Sequence, residues 1–331
     1  MNNIKAKEDA AYTVDAAVAK PVNSGLVDPS ILGVGMVSGT AAVKLGQGVQ
    51  KSGRSTAVTS GRVTLIGASV KVGFSSGRSA LFTGQIVTTR MGASGDSGSL
   101  LVDGAKRAVG LLFAGSSGAT LYNPITTVLE SLNVDLGIDS RTDDEKQDEY
   151  LVDLRRLCRD KTPAILALPN VVGVGIGLKR KDGVKTGVIS LVALVEKKVA
   201  ANMLREDEII PRFVEDIPTD VLESGEFSAI ARHTWYGRPL NRKIKTRPAR
   251  PGLSIGHYRV SAGTFGAVVF DRDSGEPLIL SNNHVLANST NGEDGMSEPG
   301  DPILQPGKQD GGSNPHDMLG TLLRFTPIRF L

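Results

Sequence analysis

The chain has 331 residues and a mass of 34.8 kDa, a length that usually corresponds to two or three domains. Glycine supplies 39 residues and aromatic residues only 5%, which favours short strands and tight turns over long helices. This composition excludes collagen, coiled coils and extensive disorder. No apolar segment approaches the ~18–20 residues of a membrane span, and the net charge of +3 gives no reason to expect a nucleic-acid partner.

The cysteine content and the first residues bear on the cellular compartment. Cys158 is the only cysteine, so no internal disulfide can form and no oxidising compartment is required. Residues 1–9 carry acids and contain no apolar stretch, unlike a signal peptide. We therefore expect a cytoplasmic protein, and nothing in the sequence calls for a cofactor.

The first part of the chain, up to residue 137, is rich in Gly, Val, Ser and Thr. Its short apolar segments are separated by glycine turns about every 8–12 residues, a pattern typical of an antiparallel sandwich or barrel. Predicted strands lie at residues 63–66, 70–72, 85–88 and 108–113. The segment after Pro124 predicts an amphipathic helix over 125–132.

A small α+β module is predicted next. An acidic linker over residues 138–149 runs into a helix near 150–157. Two extended segments, 171–178 and 188–195, flank the dipeptide Asp182-Gly183, which is a strong hairpin signal. A short helix near Met203 and a strand near residues 209–214 complete the module.

The segment from 229 to 251 is basic and contains three prolines. These features indicate a solvated linker, with a nucleic-acid-binding arm as the alternative. Beyond residue 252 the β pattern returns, with predicted strands at 266–270 and 277–280 around a turn at 271–275.

The strongest chemical signal is the Gly-Asp-Ser-Gly motif at residues 95–98. Glycines on either side permit the backbone angles that expose a serine hydroxyl and direct neighbouring N–H groups into one hollow. A serine nucleophile also needs a base within hydrogen-bond reach and a carboxylate that orients the base. The alternative is an ordinary Gly/Ser turn in a Gly/Ser-rich chain.

Two further motifs supply residues of the required types. His284 comes four residues after the end of the predicted strand at 277–280, a rigid position suited to a base. Asp15 lies among small apolar residues, where a buried carboxylate would need a partner. A structural histidine and a surface aspartate are the corresponding alternatives.

Together the three motifs resemble those of trypsin-like serine peptidases of the chymotrypsin fold. The Asn-Asn-His-Val segment at 282–285 is similar to the base motif of the bacterial high-temperature-requirement branch. More loosely, the chain looks like bacterial relatives of the plant narrow-leaf protease. The resemblance implies Ser97 as nucleophile, His284 as base and Asp15 as acid, with an oxyanion hole formed by the N–H groups of Gly95 and Ser97.

The order of the three residues departs from that family. Its members run His, Asp, Ser, whereas this chain runs Asp15, Ser97, His284, a cyclic rotation. We therefore expect a mainly β, double β-barrel fold in circularly permuted order with a small α+β accessory domain. The predicted division is 1–22 (end of the first barrel), 23–137 (second barrel), 138–149 (acidic linker), 150–228 (accessory domain), 229–251 (basic linker) and 252–331 (start of the first barrel). Domain swapping and a gene-assembly artefact remain alternative explanations.

The resemblance also implies a specificity pocket. It would have Met91 at its base and be lined by a strand containing Phe113, Ala114 and Gly115. A thioether offers no counter-charge for Lys or Arg, so small or medium apolar residues are expected at the cleaved position. In zymogen relatives, the carboxylate at the position of Asp96 pairs with a newly cut N-terminus. Asp96 is expected to have a different partner or to lie exposed. We therefore expect activity that is constitutive or controlled by assembly.

The sequence thus predicts a serine endopeptidase acting on protein or peptide substrates, with neither a membrane nor a nucleic-acid partner. A homo-oligomer is an open alternative to a monomer, and an inactive protease-like scaffold that assembles or binds peptides is the alternative function. The alternating glycines at 173–177 favour a strand over a phosphate loop. The histidines lack the spacing of a zinc site, and Cys158 is expected to be a packing residue.

Overall fold

The computed structural model describes residues 14–74, 77–138, 149–181, 184–229, 241–260 and 262–331. Over these residues the chain is mainly β, as expected, with two sheets and few helices. None of the helices in the described residues is long and apolar enough to span a bilayer.

The first sheet combines strands from distant parts of the chain. Its members are β1 (Ala17–Pro21), β8 (Val134–Asp135), β14 (Ser254–His257), β15 (Gly263–Thr264), β16 (Ala267–Asp271), β17 (Pro277–Ser281), β18 (Pro302–Leu304) and β19 (Met318–Phe325). Their order is β15-β14-β18-β19-β1-β17-β16-β8. β1 is therefore an interior strand between β17 and β19, antiparallel to both.

The second sheet contains a ring of six strands that follow one another along the chain. These are β2 (Gly48–Gly53), β3 (Ala57–Gly73), β4 (Ser79–Thr89), β5 (Leu100–Asp103), β6 (Ala108–Gly115) and β7 (Ala119–Pro124). Pairing runs β2-β3-β4-β7-β6-β5 and returns to β2, so the ring closes.

The α+β segment continues this second sheet instead of forming a separate one. Its strands are β9 (Val171–Lys181), β10 (Val184–Val195), β11 (Phe213–Val214), β12 (Ile217–Glu223) and β13 (Phe227–Ser228). β9 pairs with the second half of β3, whose first half pairs with β2. β12 lies parallel to β10, and β13 pairs with both β3 and β6.

Three α-helices lie in the described residues. They are α1 (Ile125–Ser131), α2 (Glu149–Leu166) and α3 (Asn283–Leu286). α2 extends well beyond the predicted 150–157 because Cys158 and Ile165 continue its apolar face into the core formed with β9 and β10.

One of the apolar clusters contains residues of both sheets. Val14, Ala16 and Val18 pack in the same cluster as Leu100 and Leu111 of the second sheet. The segment that carries Asp15 therefore lies at the junction between the sheets, which is where the three motifs meet.

Most predicted elements are confirmed, with two informative differences. Residues 63–66 and 70–72 belong to one 17-residue strand, β3, which continues through Gly67 although this glycine adopts φ +60°. The hairpin β9–β10 is confirmed, although its turn at 182–183 lies outside the described residues. The basic segment is not a solvated linker throughout: residues 230–240 lie outside the described part, but Arg242 is buried and its Nη1 donates to Ser52 Oγ at 2.7 Å.

Candidate active site

The register of the first sheet brings Asp15 to His284. Ala17 of β1 pairs with Ser281 of β17, so the residues just before β1 lie opposite those just after β17. Asp15 Oδ2 contacts His284 Nδ1 at 2.5 Å, and Asp15 Oδ1 accepts the backbone N–H of His284 at 3.1 Å. An ionised carboxylate can only accept, so Nδ1 carries the proton and Nε2 keeps its lone pair. This leaves Nε2 able to accept a proton.

Asp15 is also held through its backbone, and from both sheets. Its carbonyl accepts from Asn282 Nδ2 at 2.7 Å, next to the base. Asn123 of β7 donates to the same carbonyl and accepts the Asp15 N–H, both at 3.3 Å. Asp15 is fully buried, and a buried carboxylate is tolerated where its hydrogen bonds are satisfied. The interactions suit a rigid orienting group.

The Gly-Asp-Ser-Gly motif forms a tight loop that docks on the first sheet. Gly95 and Gly98 have φ of +90° and +95°, and a Cβ at Gly98 would lie 2.2 Å from both Thr264 O and Ser281 Oγ. Ser97 O accepts the Thr264 N–H at 2.7 Å. Glycine at position 98 is therefore required for the loop to approach β15 and β17 so closely.

Two backbone donors of this loop remain available. The N–H groups of Asp96, Gly98 and Ser99 donate to Ala93 O, Leu112 O and Asp96 O. In the described part of the chain, those of Gly95 and Ser97 donate to no protein acceptor. These are the two groups expected to form an oxyanion hole, and their freedom is what such a role requires.

Asp96 has a partner inside the chain. Lys51 Nζ lies 2.9 Å from Asp96 Oδ2, with both side chains fully buried. Thr56 Oγ1 donates to the same oxygen at 2.6 Å, and the N–H groups of Ser55 and Thr56 donate to Oδ1. Burial lowers the pKa of Lys51, and Asp96 acts against that shift. The carboxylate next to Ser97 is thus fixed by a lysine on β2.

The nucleophile loop and the residue after His284 both lie against Gly263. A Cβ at Gly263 would lie 2.9 Å from Ser97 O and 2.5 Å from Val285 Cγ2, so Gly263 touches the nucleophile loop and the residue after the base. Over the described residues no hydrogen bond joins the Ser97 hydroxyl to the imidazole. Such catalytic hydrogen bonds are often long in free enzymes and shorten with substrate bound.

A cavity of about 160 Å³ opens beside Ser97. Ala114 and Gly115 line it, as expected, together with Leu112. Met91 and Phe113 do not: Met91 is buried among apolar residues of the second sheet, and Phe113 packs on Phe82 with ring centroids 4.6 Å apart. Both side chains are therefore part of the buried core and not of the cavity lining.

Several site residues were not identifiable from the sequence. Lys51 and Asn123 have no local motif, and their partners lie 45 and 108 residues away. Glu226, Ser228 and Ala229 also line the cavity, although the sequence suggested no link between the α+β segment and the site. Asn282 belongs to the base motif. The two consecutive asparagines before His284 are the one sequence signal that could have indicated that a side chain there binds the backbone of Asp15.

The remaining reactive side chains lie elsewhere. Burial raises the pKa of Cys158 to about 11, which fits a packing residue. His257 is fully buried, with Nε2 3.0 Å from Asp301 Oδ2. No group of three or more His, Cys, Asp or Glu side chains within the described ranges could hold a metal ion.

Comparison with known proteins gives partial structural likenesses. No protein-family model and no curated protein matches the chain. Among solved structures it is similar to a glutamic-acid-specific serine protease (34% identity, 29% of this chain, 50% of that one, TM-score 0.25). It is also similar to a Cellulomonas bogoriensis chymotrypsin (29% identity, 29% and 52%, TM-score 0.25) and to Thermobifida fusca protease A (26%, 35% and 57%, TM-score 0.25). The chain thus spans between 50% and 57% of the length of each of these proteins.

Proposed function

We propose that this protein is a serine endopeptidase with Ser97, His284 and Asp15 as its catalytic triad. The observation that carries the proposal is the two-point contact of Asp15 with His284, through Nδ1 and the backbone N–H, beside the loop that carries Ser97. This contact fixes the imidazole so that Nε2 is the nitrogen available to the serine. Free N–H donors at Gly95 and Ser97 support the proposal further, because acyl transfer needs such donors to bind the oxyanion.

The reaction would proceed in two stages. Ser97 Oγ attacks the peptide carbonyl carbon while Nε2 of His284 takes the hydroxyl proton, and Asp15 stabilises the resulting imidazolium. The carbonyl oxygen becomes an oxyanion and is bound by the N–H groups of Gly95 and Ser97. Collapse of the intermediate breaks the C–N bond, and the leaving amine takes the proton from Nε2. Water then hydrolyses the acyl-enzyme by the same steps.

The cavity supports a preference for small or medium apolar residues at the cleaved position. Leu112, Ala114 and Gly115 form one wall. Arg90 and Glu226 are its only charged lining residues in the described ranges, and both are exposed. Hydrated charges give a buried cation or anion of the substrate no strong counter-ion. Profiling with peptides that differ at this one position tests the preference, and strong selection of Lys, Arg, Asp or Glu would contradict it.

We further propose that the chain order is a circular permutation of the trypsin-like order, with the domain division given above. β1 pairs with β17 and β19, which supports assigning the first residues and residues 252–331 to one barrel.

The alternative function is a catalytically inactive protease-like scaffold. The absence of a hydrogen bond between Ser97 and His284 in the described residues is the observation that favours it. A fluorophosphonate reagent distinguishes the two, because an activated serine oxygen attacks its phosphorus, fluoride leaves, and the serine becomes phosphonylated. We expect labelling of the full chain that is lost in Ser97→Ala. It should be retained in Ser94→Ala, which removes a different serine hydroxyl three residues before Ser97. No labelling between pH 6 and 9 would favour the scaffold.

A further inference from the structure

The last strand of the α+β segment lies against the candidate active site. β13 (Phe227–Ser228) pairs parallel with β3 at Val72 and Gly73 and antiparallel with β6 at Gly115. Ala229 N–H donates to Gly73 O at 3.1 Å, and Ser224 O accepts the Gly118 N–H at 3.2 Å. We call residues 224–229 the cleft segment. It follows the rim of the cavity from the loop after β6 to the end of β3.

The edge of β6 next to the nucleophile loop has room for one strand. β5 pairs with β6 as far as Leu111. Leu112 then exchanges backbone hydrogen bonds with Gly98 and Ser99. The register of β6 against β7 shifts between Leu112 and Ala114, and beyond this irregularity Gly115 meets β7 on one side and Ser228 on the other. The cleft segment therefore occupies the edge that continues from the Ser97 loop.

The cleft segment is anchored and also reaches the cavity. The Phe227 side chain is 3% exposed and packs in the core with Phe82 and Phe113. Glu226, Ser228 and Ala229 line the same cavity as Ser97. One short segment thus contributes to the apolar core, to the sheet and to the cavity wall.

Proteins bind extended peptides by adding them as a strand to a free sheet edge, where backbone hydrogen bonds give affinity. We infer that the cleft segment is a built-in competitor for this edge: it occupies in cis the position at Gly115 where a substrate peptide would pair, and it must be displaced for productive binding. This inference rests on the proposed function for the meaning of the cavity, and it adds the regulation of that site.

The first test weakens the cleft segment by a single substitution. Ala229→Pro removes the N–H that bonds to Gly73 O. We expect kcat/KM for an extended peptide substrate to rise about tenfold, mainly through a lower KM, and the fluorophosphonate labelling rate of Ser97 to rise with it. Val214→Pro, in β11 at the far edge of the same sheet, is the matched control and should leave both rates unchanged. A folded Ala229→Pro chain with unchanged or lower kcat/KM would overturn the inference.

A second arm restores the competitor in trans. A synthetic peptide with the sequence of residues 222–229 should inhibit Ala229→Pro competitively and return its rate towards that of the parent chain. A scrambled peptide of the same composition should not. Equal inhibition by both peptides would contradict pairing at the edge of β6.

A third measurement needs no substitution. Reaction of Ser97 in the full chain with a tripeptidyl phosphonate should speed amide hydrogen exchange within residues 224–229, because the inhibitor backbone replaces β13 at Gly115. Slower or unchanged exchange in that segment would show that substrate and cleft segment do not compete.

Failure of the proposed function remains distinguishable from failure of this inference. In a Ser97→Ala background, binding of a fluorescent extended peptide reports on the cleft without chemistry. A tenfold gain in affinity on adding Ala229→Pro supports displacement even if the parent chain hydrolyses nothing. The same affinity with and without Ala229→Pro overturns displacement even if the parent chain is an active peptidase.

Discussion

The two sheets hold their parts of the candidate site in different ways. In the first sheet, Asp15 and His284 are 269 residues apart and meet because β1 pairs with β17. In the second, Ser97 lies on a local loop whose shape depends on glycines and on the buried Lys51–Asp96 ion pair. The register between β1 and β17 therefore positions Asp15 and His284, whereas the buried ion pair between Lys51 and Asp96 supports the loop that carries Ser97. Substitutions in the two halves should fail in different ways.

The largest effect is expected where register brings the carboxylate to the imidazole. Asp15→Asn keeps the shape but removes the charge and allows the wrong tautomer of His284, so kcat should fall by roughly 10⁴. Steady-state kinetics on an apolar peptide substrate measures this. Asp301→Asn, which alters the buried His257–Asp301 contact next to the same sheet, should leave kcat per folded molecule near the parent value. A drop of similar size in both variants would mean that the effect is not specific to the triad.

The second sheet should respond to the loss of its buried ion pair. Lys51→Met leaves Asp96 charged and without its cation, which typically costs about 3–5 kcal/mol of unfolding free energy. Misalignment of the Gly95 and Ser97 donors should lower kcat by about 10²–10³. Denaturant unfolding and kinetics measure the two effects.

A double substitution sharpens this comparison. Lys51→Met with Asp96→Asn removes both charges, so much of the stability should return while kcat stays low, because the contacts that shape the loop are not restored. Recovery of kcat in the double variant would show that the ion pair does not position the loop. Burial lowers the pKa of Lys51, so its ammonium loses its proton at a lower pH than an ordinary lysine does. As the pH rises, activity should therefore begin to fall before the usual lysine range is reached.

Lowering the pH is expected to have a smaller effect, a decrease in the unfolding free energy through His257 of the first sheet. Burial lowers the pKa of His257, with hydrogen bonding and charge from Asp301 acting against the shift and Arg259 adding to it. Its ring also contacts Ser297 Oγ and the Arg259 N–H. Below about pH 6.5 the unfolded chain takes up a proton here more readily than the folded chain, so unfolding free energy falls as pH decreases. In His257→Gln this slope should be shallower between pH 7 and 5, and an identical slope would contradict the assignment.

The smallest effect is expected at the surface of β1. Lys20 pairs with Glu276 at 2.6 Å, and both side chains are about half exposed. Such pairs contribute little, so Lys20→Ala should change the unfolding free energy by no more than about 0.5 kcal/mol. A loss above 1 kcal/mol would mean that β1 depends on this ion pair and not on its hydrogen bonds to β17 and β19.

Local patterns predicted the local parts of the structure well. Glycine spacing indicated β3, β4 and β6 of the second sheet, and Asp182-Gly183 indicated the β9–β10 hairpin. The interior position of β1, the parallel pairing of β12 and the path of β13 were not predictable, because each depends on partners far away in sequence. The same holds for the site: Ser97 and His284 have characteristic neighbours, whereas Lys51 is identified only by the buried carboxylate that it meets in the folded chain.

The interior position of β1 has a consequence for synthesis on the ribosome. All six strands of the ring have been translated by residue 124, so the half with the serine can fold early. Asp15 is translated before any of these strands, but β1 can pair with β17 only after residues 277–281 have been made. Its pairing with β19 requires residues 320–325. The loop that carries Ser97 can therefore fold before the strand pairs that hold Asp15 beside His284 are able to form.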